Sequence, residues 1–278
     1  DWLDWNVNRG HENNSLSSSV KTNTQLTFDS PFQNEDHVFS GAFSWITNQS
    51  GYEWMYIAGN KTPSTDIKDP SIDAQINWIG GGSGETRELG ALSNLNYKYK
   101  DKYMIQTILR ADAHSSFGSN YRWGLFKGVS TAWRFSSEPW AQAKWLGESK
   151  LRFSWGVSGR QPGEAYARFA TYESQNTGSY TGYAAIVPTQ IQLNNLQWES
   201  ISSFDLGIEL SLFNDRVYIE SDVYTKVTSN LLFKDYDIPS SSGFTQLKFL
   251  NGGSLENKGW ELMTDFKIVR SENWFWSI

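Results

Sequence analysis

From Leu151 the chain reads Leu-Arg-Phe-Ser-Trp-Gly-Val-Ser, apolar at every odd position and small or charged at every even one. A period of two over this length is a β-strand with two chemically different faces. Phe204 to Leu212 repeats the pattern with the even positions apolar, and Tyr103 to Asp112 sets Gln106, Arg110 and Asp112 opposite Tyr103, Ile105 and Leu109. Val20 to Phe28, Phe39 to Thr47, Leu89 to Tyr99, Val129 to Phe135, Val217 to Lys226 and Trp260 to Ile268 alternate less cleanly. About ten strands are expected, with no amphipathic helix beyond a short turn at Glu138 to Leu146.

The connections alternate between tight and long. Tight turns are expected at Lys100-Asp101-Lys102, at Asn214-Asp215 and near Arg270 to Asn273. Between them lie polar segments rich in Gly and Ser: Lys61 to Gly84, Ala113 to Lys127, Gly159 to Asn195 and Val227 to Gly253. In an up-and-down sheet this puts every tight turn on one rim and every long loop on the other, the asymmetry of an outer-membrane barrel. A soluble sandwich or propeller alternates as well. Two features favour the barrel. Charges fall in mid-strand on the polar faces, as a water-filled lumen permits, and Tyr97, Tyr99, Tyr103, Trp133 and Phe135 gather beside the short turns, where an aromatic girdle belongs.

Composition narrows the alternatives. There is no Cys, hence no disulfide framework, thiolate metal site or Cys nucleophile. His11, His37 and His114 are too far apart in sequence for a familiar ligand motif, so no metal and no cofactor is expected. A net charge of -6 argues against nucleic acid as a partner. At 38% hydrophobic the chain is too apolar for disorder. Its longest strictly apolar runs, Trp54 to Ala58 and Tyr183 to Val187, are five residues, whereas a membrane helix needs roughly 20. Nothing at Asp1 to Gly10 resembles a signal peptide, as expected of a chain that is processed or whose beginning is missing.

A family resemblance rests on Tyr97-Lys98-Tyr99-Lys100-Asp101-Lys102-Tyr103, on Leu109-Arg110-Ala111-Asp112 with Ser115-Ser116-Phe117-Gly118, and on Arg122-Trp123-Gly124-Leu125-Phe126. It continues through Ala132-Trp133-Arg134, Leu151-Arg152-Phe153-Ser154-Trp155-Gly156, Leu196-Gln197-Trp198-Glu199, Tyr224-Thr225-Lys226 and Asn257-Lys258-Gly259-Trp260-Glu261-Leu262. In this order the segments resemble the SusC/RagA-like TonB-dependent transporters of Bacteroidetes outer membranes, over roughly Leu89 to Ile268. Lys127-Gly128 stands where the family usually has Pro-Ser, and residues 1 to 88 match only loosely.

The resemblance implies an all-β, antiparallel transmembrane barrel of about 22 strands around an N-terminal plug. At 278 residues the chain is too short for that, so a partial barrel is expected, a fragment of about 10–11 strands. An open half-barrel in lipid would leave two unpaired edges at several kcal/mol per backbone group. Trp274 to Ile278 reads as the start of a further strand, and the plug and last strands are expected to lie outside the chain. By resemblance the function is energised import of an oligosaccharide or peptide across the outer membrane of a Gram-negative, Bacteroidetes-like cell. The partners so implied are a SusD-like surface lipoprotein as lid, TonB acting through the plug, and the lipid bilayer.

Alternation assigns Leu151, Phe153, Trp155, Val157, Phe204, Leu206, Ile208, Leu210 and Leu212 to lipid. The lumen candidates are Arg110, Asp112, Arg134, Arg152, Asp205, Glu209, Glu220, Asp222 and Lys226, with Ser154 and Ser211 on the same face. In the loops Tyr166, Tyr172, Tyr180, Tyr183 and Gln190 are candidates for contact with ligand or lid, against the alternative of loop packing. A glycoside hydrolase or a soluble glycan-binding β-domain is the competing reading. The pair Glu199 and Asp205 and the absence of Gly-x-Ser-x-Gly give the enzyme little support, and Trp198-Glu199 reads as structural at a strand entrance.

If Asn214-Asp215 forms a two-residue turn, Phe213 faces Arg216 and the register places Leu212 opposite Val217, Leu210 opposite Ile219 and Leu206 opposite Val223. The same register places Glu209 opposite Glu220, a like-charge pair that destabilises a sheet. Arg152 is expected to bridge to Glu209 and leave a cation between two carboxylates, unless water screens the acids instead.

Overall fold

The computed structural model describes residues 9–29, 36–61, 66, 69, 71, 75–175, 185–270 and 274–278. The described strands are β1 (Arg9–Phe28), β2 (His37–Asn60), β3 (Gln75–Tyr99), β4 (Tyr103–His114), β5 (Trp123–Trp133), β6 (Lys150–Arg160), β7 (Thr171–Gln175), β8 (Ala185–Gln190), β9 (Glu199–Leu212), β10 (Val217–Asp237), β11 (Gln246–Arg270) and β12 (Phe275–Ser277). Ten of them form one sheet in the order β1-β2-β3-β4-β5-β6-β9-β10-β11-β12, while β7 and β8 make a separate ribbon. Chain order and spatial order coincide, as in an up-and-down meander.

The chain divides into two compact units, Asp1–Thr22 with Thr47–Glu88, and Asn23–Ile46 with Leu89–Ile278. In the first, large aromatics cover glycines. A Cβ at Gly84 would meet the ring of Tyr52, and one at Gly82 the indole of Trp54. Polar pairs fill the rest, for example Gln49 Nε2 donating to Glu85 at 2.8 Å.

In the second unit the register follows the alternation. Leu151 pairs with Ile208, Phe153 with Leu206 and Trp155 with Phe204. Leu212 pairs with Val217, Leu210 with Ile219 and Leu206 with Val223. Paired residues share a face, so the apolar sets of β6, β9 and β10 form one surface, and that surface is outward: Leu206 is 42%, Val223 51% and Trp260 65% exposed. A water-soluble sheet would bury it.

The tight ends use backbone conformations that L-residues rarely adopt. Lys100 and Asp101 have φ of 51° and 54°, and Lys102 N donates to Tyr99 O at 2.9 Å. Two left-handed central residues match the right-handed twist of the flanking strands. The second turn differs from the two-residue expectation. Phe213, Asn214 and Asp215 all have positive φ, Arg216 N donates to Leu212 O at 3.0 Å, and Phe213 N donates to Trp145 O at 2.6 Å rather than pairing with Arg216. The Ser211 hydroxyl donates to Asp215 and helps hold this loop. Because the pairing begins at Leu212 and Val217 in either case, the strand register is the expected one. The turn expected near Arg270 to Asn273 falls on 271–273, outside the described residues. Beyond it Phe275 pairs with Arg270 and Trp276 with Val269, so Trp274 to Ile278 does contain a strand.

All four expected loops are smaller than their composition suggested, since Gln75 to Gly84 lies in β3, and Ala113 to His114 and Trp123 to Lys127 lie in β4 and β5. Val227 to Gly253 is mostly strand, since β10 and β11 stay paired from Thr228↔Leu255 to Asp237↔Gln246. Leu231, Leu232 and Phe233 put apolar residues at both parities and so hide the period there, and Leu232 and Phe249 turn to the buried loop cluster. Gly159 to Asn195 contains the β7-β8 ribbon and is anchored by a small core. Phe117, Ala167, Leu196 and Phe249 are buried together, with Leu193, Trp198 and Leu232 packed around them. The main buried cluster thus lies among long connections rather than between layers. At Glu138 to Leu146 the expected turn is a 3-10 helix, Pro139–Ala141, started by Pro at its first position.

Candidate functional site

The polar face of the second unit carries a charged cluster built on three neighbouring strands. Glu209 of β9 lies directly opposite Glu220 of β10 and, on its other side, opposite Lys150 of β6. The guanidinium of Arg152 sits between the acids. Its Nη2 donates to Glu220 at 2.6 Å and to Asp222 at 3.0 Å, and its Nε lies 2.8 Å from Glu209, off the N–H axis. Lys150 Nζ contacts the other Glu209 oxygen at 2.8 Å, and Tyr218 donates its hydroxyl to Glu220 at 3.1 Å. The expected cation between Glu209 and Glu220 is therefore present, and it also engages a third carboxylate.

The third contact depends on a residue without a side chain. Gly207 pairs with Arg152 on one side and Asp222 on the other. A Cβ at Gly207 would overlap Asp222 Oδ1 and crowd Arg152 Nη2, so the guanidinium crosses the strand only because the position is glycine. Lys150, Tyr218 and Gly207 escaped the sequence reading as site residues. Counting by two from Arg152 puts Lys150 on the same face, and the register puts Tyr218 opposite Ser211. The role of Gly207 needs three strands in place, so no local signal reveals it.

The remaining candidates divide by position. Arg110 and Asp112 form an ion pair at 2.5 Å along β4, and a concavity of 450 Å³ opens nearby over Gln106, Ser130, Arg152, Ser154 and Asp205. Asp205 pairs with Ser154 and with Tyr224, and Lys226 stands opposite Ser203 and Asn257. Arg134 lies past the end of β5, pairs with Glu148 at 3.3 Å in the connection to β6, and does not join the cluster.

Among the loop candidates, Tyr166 and Tyr172 are 45% and 66% exposed, and Tyr166 packs edge-on against Phe169. Tyr180 and Tyr183 lie outside the described residues. Gln190 is corrected: it is buried, and its amide donates to Ala167 O at 2.7 Å, so it holds the loop core and presents nothing to a ligand. Glu199 is also buried and accepts Leu232 N at 2.9 Å, as the structural reading of the strand entrance requires. Asp205 is six residues further along the same strand, roughly 20 Å away at about 3.3 Å per residue, too far for a hydrolytic carboxylate pair.

Beside the short turns, rings follow one another: Tyr99 to Tyr103 at 6.2 Å, Tyr103 to Trp133 at 6.5 Å and Trp133 to Trp140 at 6.1 Å. Glu138 accepts Tyr103 Oη at 2.8 Å, Trp133 Nε1 at 3.3 Å and Lys102 Nζ at 3.4 Å. The hydrogen bond from Tyr103, then that from Trp133, holds the Glu138 carboxyl below the ordinary range. No group of three or more potential metal ligands occurs among the described residues.

A meander that turns its apolar side outward, pairs its charges on the opposite face and rings its short turns with Tyr and Trp is the wall of an outer-membrane β-barrel. The chain belongs to the family of TonB dependent receptor-like beta-barrels, whose model matches residues 2–278. It is 33% identical over 248 residues to TonB-dependent receptor P39 of Formosa agariphila, covering 88% of this chain and 23% of that protein. It is 37% identical over 187 residues to TonB-dependent receptor P26 of the same organism, covering 66% of this chain and 18% of the relative. TonB-dependent receptor SusC of Bacteroides thetaiotaomicron is 28% identical over 191 residues, 66% of this chain and 19% of SusC. The chain thus spans about a fifth of the length of these relatives. Among solved structures, the RagAB peptide importer in its closed-closed state superposes with a TM-score of 0.81 at 22% identity, over 96% of this chain and 29% of that one. That likeness establishes the fold.

Proposed function

We propose that this chain is part of the barrel wall of a transporter that imports a large solute, an oligosaccharide or peptide, across the outer membrane, energised by TonB and lidded by a SusD-like lipoprotein. Family membership supports import of this kind, and the SusC and RagAB relatives support the lid. One observation carries the reading at the level of residues. The face bearing Leu206, Val223 and Trp260 is exposed, whereas the face bearing Arg152, Glu209, Glu220 and Asp222 pairs its charges and borders the concavity. The first face meets lipid and the second lines the lumen, with Arg110, Asp112, Asp205 and Lys226 along the same wall. The plug through which TonB acts is placed elsewhere in the full-length protein. Tyr166 and Tyr172 face the solute or the lid from the long-loop rim.

The test is growth of a deletion strain on a panel of oligosaccharides and peptides as sole carbon source, with and without a functional TonB. Loss of growth on at least one substrate, restored by the full-length gene only when TonB is present, is expected. Unimpaired growth of the deletion strain on the whole panel, or restoration without TonB, overturns the proposal.

A further inference from the structure

The long connections of the second unit hold two arginines, Arg122 and Arg168, that pair with no acid among the described residues. Arg168 follows Ala167, a member of the buried loop cluster, and its carbonyl accepts Leu193 N at 2.8 Å. Arg122 closes the connection between β4 and β5. Its carbonyl accepts His114 N at 3.2 Å and the indole N–H of Trp198 at 3.3 Å, and that indole lies 4.2 Å from the ring of Phe117 in the same cluster. Both backbones are therefore pinned to one small core.

Neither Arg122 nor Arg168 takes part in an ion pair or side-chain hydrogen bond among the described residues, and Arg168 Nε is buried without an acceptor. Two nearby acids are already committed. Glu164 lies between Lys234 at 2.8 Å and Lys248 at 2.6 Å, while Glu199 accepts Leu232 N and faces Arg160 at 3.8 Å. The Arg168 guanidinium lies 4.1 Å from the centre of the Phe169 ring, and Phe169 packs edge-on against Tyr166. Burial, and then repulsion from Arg122, makes Arg168 less basic than an ordinary arginine. Arg122 through the Trp198 indole and Arg168 through Ala167 thus border the same buried cluster, with no acid paired to either among the described residues.

We propose that Arg122 and Arg168 form an oxyanion site, which receives a carboxylate group of the imported solute beside the exposed rings of Tyr166 and Phe169. A guanidinium presents a planar fork of donors that matches an oxyanion with two hydrogen bonds. Stacking on Phe169 holds the plane of the Arg168 fork before the ligand arrives, which lowers the ordering cost of binding. An anion between the two groups also removes their mutual repulsion. The site rests on the reading of the chain as part of an importer, and it specifies that the solute, or a portion of it, is acidic.

The test uses the purified full-length protein in detergent and measures binding of hexagalacturonate, hexaglutamate and neutral maltohexaose by calorimetry. At least one acidic probe is expected to bind about tenfold or more tightly than maltohexaose, and the acidic probe that does so identifies whether the oxyanion belongs to a sugar or a peptide. R122Q/R168Q should reduce that affinity at least about tenfold, R168K should lose part of it, and raising salt from about 0.05 to 0.5 M should weaken it. Arg122 is exposed, so R122Q alone keeps the fold and must still weaken binding. Equal affinity for acidic and neutral probes, or unchanged affinity in both R122Q and R122Q/R168Q, overturns the site. Binding is read on purified protein and import in cells, so failure here leaves TonB-dependent growth, and the proposal that rests on it, intact.

Discussion

Replacing Arg152 by Met keeps most of the side-chain volume and removes the charge that separates Glu209 from Glu220. Two charge-assisted hydrogen bonds are lost, to Glu220 and Asp222, each worth about 1.5–3 kcal/mol. The Arg152 side chain is 34% exposed, so solvent screening removes roughly half of that sum and leaves about 1.5–3 kcal/mol. Glu209 and Glu220 then face each other across the strands without a bridge, which adds about 0.2–1 kcal/mol. The full-length barrel carrying R152M should therefore lose about 2–4 kcal/mol in urea unfolding from lipid vesicles, followed by Trp fluorescence and heat-modifiable gel mobility. Removing one acid as well should relieve part of the loss, so R152M/E220Q is expected to be more stable than the sum of the single variants by about 1–2 kcal/mol. A cost below about 0.5 kcal/mol for R152M, or strictly additive effects in the cycle, would refute the idea that the guanidinium compensates the like-charge pair.

Three further outcomes are expected. Ile208→Arg, on the exposed apolar face, should reduce the yield of folded barrel through a cost of about 2–4 kcal/mol near the bilayer midplane, whereas Ser154→Arg should not; equal yields would contradict the face assignment. Protease added to intact cells should cut within the long connection between β6 and β9 before it reaches Lys100 to Lys102, and the reverse preference would invert the topology. Burial raises the Glu164 carboxyl, but hydrogen bonds from Lys234 and Lys248 outweigh it and hold the group below its ordinary 4.5. A depressed carboxyl stabilises fully above the unfolded value, and the contribution is lost as pH falls below 4.5 through the folded value. Pepsin cleavage of this loop should accordingly increase as pH drops in that range, and Glu164→Gln should already raise protease cleavage at neutral pH, with an unchanged rate for the variant counting against the clamp.

The strands, their faces and the pairing of β9 with β10 follow from the order of the residues alone. Side-chain direction in a strand has a period of two, so Leu151 to Ser158 and Phe204 to Leu212 declare their faces without reference to any neighbour. A short connection then ties one strand to the next, which is why Glu209 opposite Glu220 was legible even though the turn itself is a four-residue loop rather than a two-residue one. These strand ends were not legible, because Thr228 to Asp237 carries its apolar residues at both parities, and the short β7-β8 ribbon was hidden in a long connection rich in Gly, Ser and Thr. Contacts that span more than one strand pair or join separate loops are set instead by the assembled fold. Arg152 reaches Asp222 because Gly207 clears the path between them, and Gln190 turns into the loop core because Ala167, far from it in sequence, offers a carbonyl there. Arg122 and Arg168, with 45 residues between them, border one buried cluster, the first through its carbonyl on the Trp198 indole and the second through its neighbour Ala167. Local periodicity carries information about a residue and its partner across one turn, whereas a site assembled from several connections depends on the closure of all of them at once.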